Sequence, residues 1–251
     1  GYTWNRVFTD TNAQTAEQSE TLGVVEGGPG LVANGLVADG QAVWTSPDGA
    51  TWTRVPDDPE SFGSSGILDM AAGGPGFVAV GVDESGFPAI GPAVWTSRDG
   101  STWTRVPNRD AFSGPSIDTR INSVVAGGPG FVAVGEEQVA DGVRAAVWTS
   151  PYGFRWTRVP HDDAVFAGPG EVNQMLSVDA TDDGLVAVGS EFRAIAWSSR
   201  DGIAWTRTYI GELTEAQSLR HVVATDSAFV ANGFENHPDT AICIGTIQDS
   251  S

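Results

Sequence analysis

Four carboxylates recur at one register of this chain. Asp83, Glu137, Glu191 and Glu235 each stand two residues beyond a glycine that ends an apolar run, and Val37 holds the same place in the first copy. A second register reads Gly23, Asp69, Ser123, Ser177 and His221, small or polar where the surrounding segments are apolar. All 13 basic residues are arginine. Most of them repeat from copy to copy, but Arg109, Arg120, Arg144, Arg193 and Arg220 do not. Carboxylates and guanidinium groups gathered on one face can bind a polar ligand through bidentate hydrogen bonds, the role expected of Arg120, Glu191 and Arg220. Two carboxylates about 5 to 10 Å apart can instead hydrolyse a glycosidic bond. An oxygen-rich arc can also hold a hard cation such as Ca²⁺, but regular D-x-D-x-D spacing is missing, so no metal is expected. The candidate ligand-binding set is therefore Asp69, Arg120, Glu137, Glu191, Arg193, Arg220, His221 and Glu235, with no catalytic residue and no cofactor assigned. Acidic groups that merely decorate solvated loops would give the same pattern.

The elements that must position these residues are written in repeats of about fifty residues. Ala93 to Pro107, AVWTSRDGSTWTRVP, returns as Ala42 to Pro56, Ala146 to Pro160 and, shortened, Ala194 to Arg207. Two short runs of β-branched and aromatic residues flank Asp-Gly, the composition of a hairpin. A second strand, Phe-Val-Ala-Val-Gly or a near copy, precedes each hairpin. A first strand precedes that, across a Gly-Gly-Pro-Gly turn at Gly27 to Gly30, Gly73 to Gly76 and Gly127 to Gly130. The two chain ends are complementary. Tyr2 to Val7 reads as a last strand without its repeat, and residues 219–247 read as a repeat without its last strand. Pairing residues 2–9 with that final unit makes five units of four strands within a single domain, 1–251, and removes the sheet edges that invite aggregation. The loops between units, and those between second and third strands, then share the face where the candidate set gathers.

Ser46-Pro47-Asp48-Gly49-Ala50-Thr51-Trp52 and its copies at Ser97 to Trp103 and Ser199 to Trp205 resemble the Asp box of sialidases and other BNR-repeat proteins. They are one residue shorter than the usual S-x-D-x-G-x-T-W, and Tyr152 replaces the Asp in the third copy. The resemblance implies an all-β β-propeller, and the count of five units makes it five-bladed, with four-stranded antiparallel blades. In that family the box is an outer turn, far from the ligand. A sialidase-like glycoside hydrolase would take Arg120, Arg193 and Arg220 for the substrate carboxylate, Tyr209 with Glu191 as nucleophile and partner, and Asp69 as acid/base. The Phe/Tyr-Arg-Ile-Pro motif that carries the family's first arginine is absent, and sialidases have six blades. The expectation is a non-catalytic, extracellular or cell-surface propeller that binds a glycan or small polar ligand at the channel mouth. A sialidase-like hydrolase and a scaffold for another protein are the alternatives.

The formal net charge of −19 over 251 residues argues against nucleic acid as a partner, because phosphate binding needs clustered positive charge. No apolar run approaches the roughly 18 residues of a membrane span. No signal peptide is visible, but the chain opens inside a repeat-like motif, so removal of an upstream segment is expected. All nine tryptophans fall at two repeat positions, which predicts blade packing rather than sugar stacking. Phe62, Phe112 and Phe166 share one register and are expected to be buried as well. Cys243, the single cysteine, stands where the copies carry Trp44, Trp95 and Trp148, and is expected to fill apolar space.

Overall fold

Alternating apolar residues between glycine-bearing turns make strands, and here they do so in five sheets. A computed structural model describes residues 20–37, 40–56, 62–63, 65–83, 91–107, 111–112, 118–167, 172–190, 194–210, 217–226, 228–235 and 240–245. The first blade comprises β1 (Glu20–Gly27), β2 (Gly30–Val37), β3 (Gly40–Ser46) and β4 (Thr53–Arg54). The second is β5 (Ser65–Gly73), β6 (Gly76–Asp83), β7 (Gly91–Ser97) and β8 (Trp103–Arg105). The third is β9 (Asp118–Gly127), β10 (Gly130–Val139), β11 (Gly142–Ser150) and β12 (Thr157–Arg158). β13 (Gln174–Thr181), β14 (Gly184–Ser190), β15 (Ala194–Ser199) and β16 (Thr206–Tyr209) make the fourth. β17 (Gln217–Ala224), β18 (Phe229–Glu235) and β19 (Thr240–Gly245) make the fifth.

Each sheet is an antiparallel meander in chain order. Four blades have the expected four strands, and the fifth has three among the described residues. The expected closing strand, residues 2–9 with Trp4, lies outside those residues. One element has no counterpart in the repeat pattern: α1 (Asp163–Phe166), a single turn whose N-cap Asp162 accepts a hydrogen bond from Ala164 N at 2.9 Å.

The Gly-Gly-Pro-Gly turn makes physical sense glycine by glycine. A Cβ on Gly27, Gly73 or Gly127 would stand 2.4, 2.7 or 2.9 Å from Ala72, Ala126 or Ala180 of the following blade. Gly28, Gly74 and Gly128 take φ of +48°, +52° and +56°. The last glycine lies against the blade's own hairpin, so that a Cβ on Gly76 would come within 2.1 Å of the Ser97 carbonyl oxygen. Neighbouring blades can therefore meet backbone to backbone at this end.

The core lies between blades. Trp95, Trp148 and Trp197 are fully buried; Phe112 and Phe166 are buried beside tryptophan pairs, and Phe62 is partly buried at the matching place. Phe62 lies 5.7 Å from Trp95 and 6.2 Å from Trp103, and Phe112 lies 6.1 Å from Trp148 and 6.4 Å from Trp156. Phe166 is buried in the cluster of Trp197 and Trp205. Packing thus accounts for these aromatics. Cys243 pairs in register with Ala231, as Trp148 does with Ala133.

Candidate functional site

Every first strand carries a β-bulge at the same place, opposite the glycine that ends the Val-Ala-Val-Gly run. The glycine is required there. A Cβ on Gly81, Gly135 or Gly189 would stand 1.9 Å from the carbonyl oxygen of Gly66, Arg120 or Gln174. The extra residues are Leu22, Leu68, Asn122, Leu176 and Arg220, and each is followed by one member of the second register, Gly23, Asp69, Ser123, Ser177 or His221.

Three of those residues, Asp69, Ser123 and Ser177, link blades. Asp69 Oδ2 accepts hydrogen bonds from Ser123 Oγ at 2.6 Å and Val124 N at 2.9 Å, while Oδ1 accepts from Met70 N at 2.8 Å. Ser123 Oγ accepts from Val178 N at 3.2 Å, and Ser177 Oγ accepts from Val222 N at 3.2 Å. Asp179 continues the series by accepting from Ala224 N at 2.7 Å. The second to fifth blades are stitched together through one polar row. Loss of water around its carboxylate raises the Asp69 pKa; the bonds from Ser123, Val124 and Met70 oppose that shift, and the Asp179 charge adds to it.

The carboxylate register faces its own blade. Because β10 runs on to Val139, Glu137 is a strand residue rather than a loop residue, and it is buried. Its two oxygens accept from Arg158 Nε and Nη2, both at 2.7 Å, and the guanidinium lies 5.4 Å from the Trp148 ring centroid. Asp83 makes the equivalent pair with Arg105 at 2.5 Å, over Trp95. Arg207 packs over Tyr209 at 5.2 Å. Arg109, Glu191 and Arg193 lie outside the described residues, as does the side chain of Glu235.

Arg120, Arg220 and His221 are exposed on the first strands, toward the end that carries the interblade connections. Arg120 pairs across the strands with Glu136, and Gln138 with Asp118. Burial raises the Glu136 pKa; the Arg120 charge and a long contact from Asn122 Nδ2 at 3.5 Å oppose the shift, and Asp118 adds to it. Asn122 Nδ2 also donates to Met175 O at 2.9 Å, which ties this cluster to the fourth blade. Asp118 Oδ1 is buried and has no hydrogen-bond partner among the described residues. Arg144, on the same end, pairs with Asp141 at 3.0 Å and reaches Asp163 at 3.8 Å. Glu136 and Asp118 were not singled out from sequence. The signal for Glu136 was present, because its place in the other repeats holds Leu36, Val82, Ser190 and Phe234.

Solved structures share this arrangement of sheets. A GH32 beta-fructofuranosidase of Bombyx mori superposes with a TM-score of 0.52 at 12% identity, over 85% of this chain and 54% of that one. A Trypanosoma rangeli sialidase gives 0.50 at 12%, over 89% and 54%. The fold is a sialidase-like β-propeller. The chain spans about half the length of either structure. No protein-family model and no curated protein matches the sequence. In propeller terms, the bulged first strands form the hub, and Asp118, Arg120 and Glu136 stand at its loop-bearing end.

Proposed function

We propose that the chain is a BNR/Asp-box propeller of five blades, closed by residues 2–9, that binds a glycan or another polar ligand at the hub without chemistry, outside the cell. The observation that carries this reading is the cluster of Asp118, Arg120 and Glu136, which breaks the repeat. It offers an exposed guanidinium, a partly buried carboxylate and a buried acceptor without a partner among the described residues, the small set of convergent polar groups that orients a ligand. Arg220 and His221 extend it from the fifth blade. The similar solved structures include a sialidase with the inhibitor DANA and a beta-fructofuranosidase variant with sucrose, which supports a sugar as the ligand class. A hydrolase gains less support. Asp69 Oδ2 is held by two interblade hydrogen bonds and Oδ1 by Met70 N of its own strand, and Tyr209 packs under Arg207.

A glycan array that includes sialylated, fructosylated and neutral oligosaccharides tests the reading. Binding to at least one class is expected, with Arg120→Ala weakening it by roughly tenfold or more. A blank array overturns it. Turnover of an aryl glycoside that disappears in Glu136→Gln would replace it with the hydrolase.

A further inference from the structure

The turn between β11 and β12 departs from the other three hairpins. Where the second blade has Asp99, Ser101 and Thr102, it has Tyr152, Phe154 and Arg155. Asp99 Oδ1 accepts hydrogen bonds from Ser101 N at 2.8 Å and Thr102 N at 2.7 Å, and Oδ2 accepts from Thr102 Oγ1 at 3.2 Å. Asp48 and Asp201 cap their own turns in the same way. Tyr152 has no carboxylate to do so, although Gly153 N still donates to Ser150 Oγ and Trp156 Nε1 to Gly153 O, both at 2.8 Å. The Tyr152 and Phe154 rings lie nearly parallel instead, 13° between planes and 5.7 Å between centroids, and remain 59% and 52% exposed. A hairpin without two backbone caps and with two aromatic rings in water is not optimised for folding.

These rings wall a groove of about 530 Å³ between the second and third blades, which Arg98, Asp99, Thr102 and Thr104 also line. The equivalent cleft one blade earlier has Asp99 and Ser101 where this one has Tyr152 and Phe154. It measures about 170 Å³ and has no aromatic side chain. Repetition therefore supplies a shallow cleft, and the change of turn residues enlarges it and gives it an aromatic wall. Arg98 makes no ion pair or hydrogen bond among the described residues, and it is exposed beside Asp99.

We propose that this groove, on the face opposite the hub cluster, is a separate binding site for a neutral oligosaccharide. Pyranose rings have a flat C–H face and a rim of hydroxyls. The faces lie on Tyr152 and Phe154, and the hydroxyls accept from Arg98 and donate to Asp99 and Thr104. A volume of about 300 to 1,000 Å³ is usual for small-ligand clefts, and the groove falls inside that range. Asp99 at the rim and the net charge of −19 disfavour an anionic glycan. The site shares no residue with Asp118, Arg120 and Glu136 and does not rest on the reading of the hub.

The full chain titrated with cellohexaose, chitohexaose, mannohexaose and maltohexaose, followed by saturation-transfer NMR and calorimetry, tests this. At least one hexasaccharide should bind. The double variant Tyr152→Asp, Phe154→Ser, which copies the second blade's turn and should fold at least as well, should weaken that binding by roughly tenfold or more. Three results overturn the proposal: no binding of any of these probes at millimolar concentration, binding that the double variant retains, or binding that Arg120→Ala alone abolishes. An oligomer in the wild type that the double variant dissociates, without saccharide binding, would make the ring pair a contact between protein chains and overturn it too.

Discussion

At the scale of single residues, the strongest constraint is a missing side chain. In the second to fifth blades the second-strand glycine opposite the bulge lies under a carbonyl of the first strand, and at Gly135 a Cβ would stand 1.9 Å from Arg120 O. Neither group can retreat without opening the bulge that places Asn122 and Ser123 against the next blade. Gly135→Ala should therefore cost about 4 kcal/mol or more, in the range reserved for backbone conflicts. Gly91 is the control. Nothing lies within 4 Å of its Cβ position and its φ is not positive, so Gly91→Ala should leave stability unchanged or raise it by about 0.5 to 1 kcal/mol. Urea unfolding of both variants checks the contrast, and equal shifts would remove the bulge as the cause. The repeated glycine was plain in the sequence, but its reason was not, because a bulge leaves no mark on residue spacing. The polarity of Asp69, Ser123 and Ser177 was equally plain. Their direction, across to the next blade rather than out to a ligand, follows from that same bulge. Sequence periodicity does not reveal that β10 runs past Gly135 to Val139, so the sequence alone does not place Glu137 within a strand, and its partner Arg158 is 21 residues away.

At the scale of elements, the Asp-Gly hairpin is the part most legible in the sequence, because the bonds that cap its turn are local. Backbone N–H groups, chiefly those three residues on at Thr51, Thr102 and Ala204, hold the carboxyls of Asp48, Asp99 and Asp201 below the ordinary carboxylate range. A depressed folded pKa means that the turn is stabilised above the unfolded pKa and loses that stabilisation as pH falls through the folded value. The third blade lacks this contribution. Tyr152→Asp should restore it, raising stability at pH 7 by a few tenths to about 1 kcal/mol for an exposed capped turn. The gain should shrink as pH falls below about 4, the unfolded value, and be lost as pH falls through the depressed folded value. Melting curves at pH 7 and pH 2.5 check it, and a gain that persists in acid would mean the aspartate acts other than as an ionised cap. What the sequence could not disclose is that the Asp-Gly turns of the second and fourth blades also serve a neighbour. A Cβ on Gly100 would stand 2.5 Å from Val32 and 3.3 Å from Thr45, so the turn of one blade rests on the strands of the blade before it.

At the scale of the whole molecule, the blades are joined in order by their first strands and by the polar row from Asp69 to Ala224. The described sheets stop at a three-stranded blade, and the register says which residue should complete it. Trp44, Trp95, Trp148 and Trp197 pair across strands with Arg54, Arg105, Arg158 and Arg207. Cys243 occupies the tryptophan register, and Arg6 in Thr3-Trp4-Asn5-Arg6 matches the arginine register of Thr51-Trp52-Thr53-Arg54. If residues 2–9 close the ring, Arg6 and Cys243 are opposed, with Cα atoms about 4.5 to 5.5 Å apart, within the range a disulfide spans. Arg6→Cys should then form an intramolecular disulfide under mild oxidation. The product should be a monomer of altered mobility on a non-reducing gel, with a single cross-linked peptide on mapping and a melting temperature that drops on reduction. Cys243 is the only native cysteine, so no other intramolecular pairing can give that result. Free thiols or covalent dimers in place of the cross-linked monomer would mean that the amino-terminal strand does not lie beside the last blade, and the five-bladed count would fall with it.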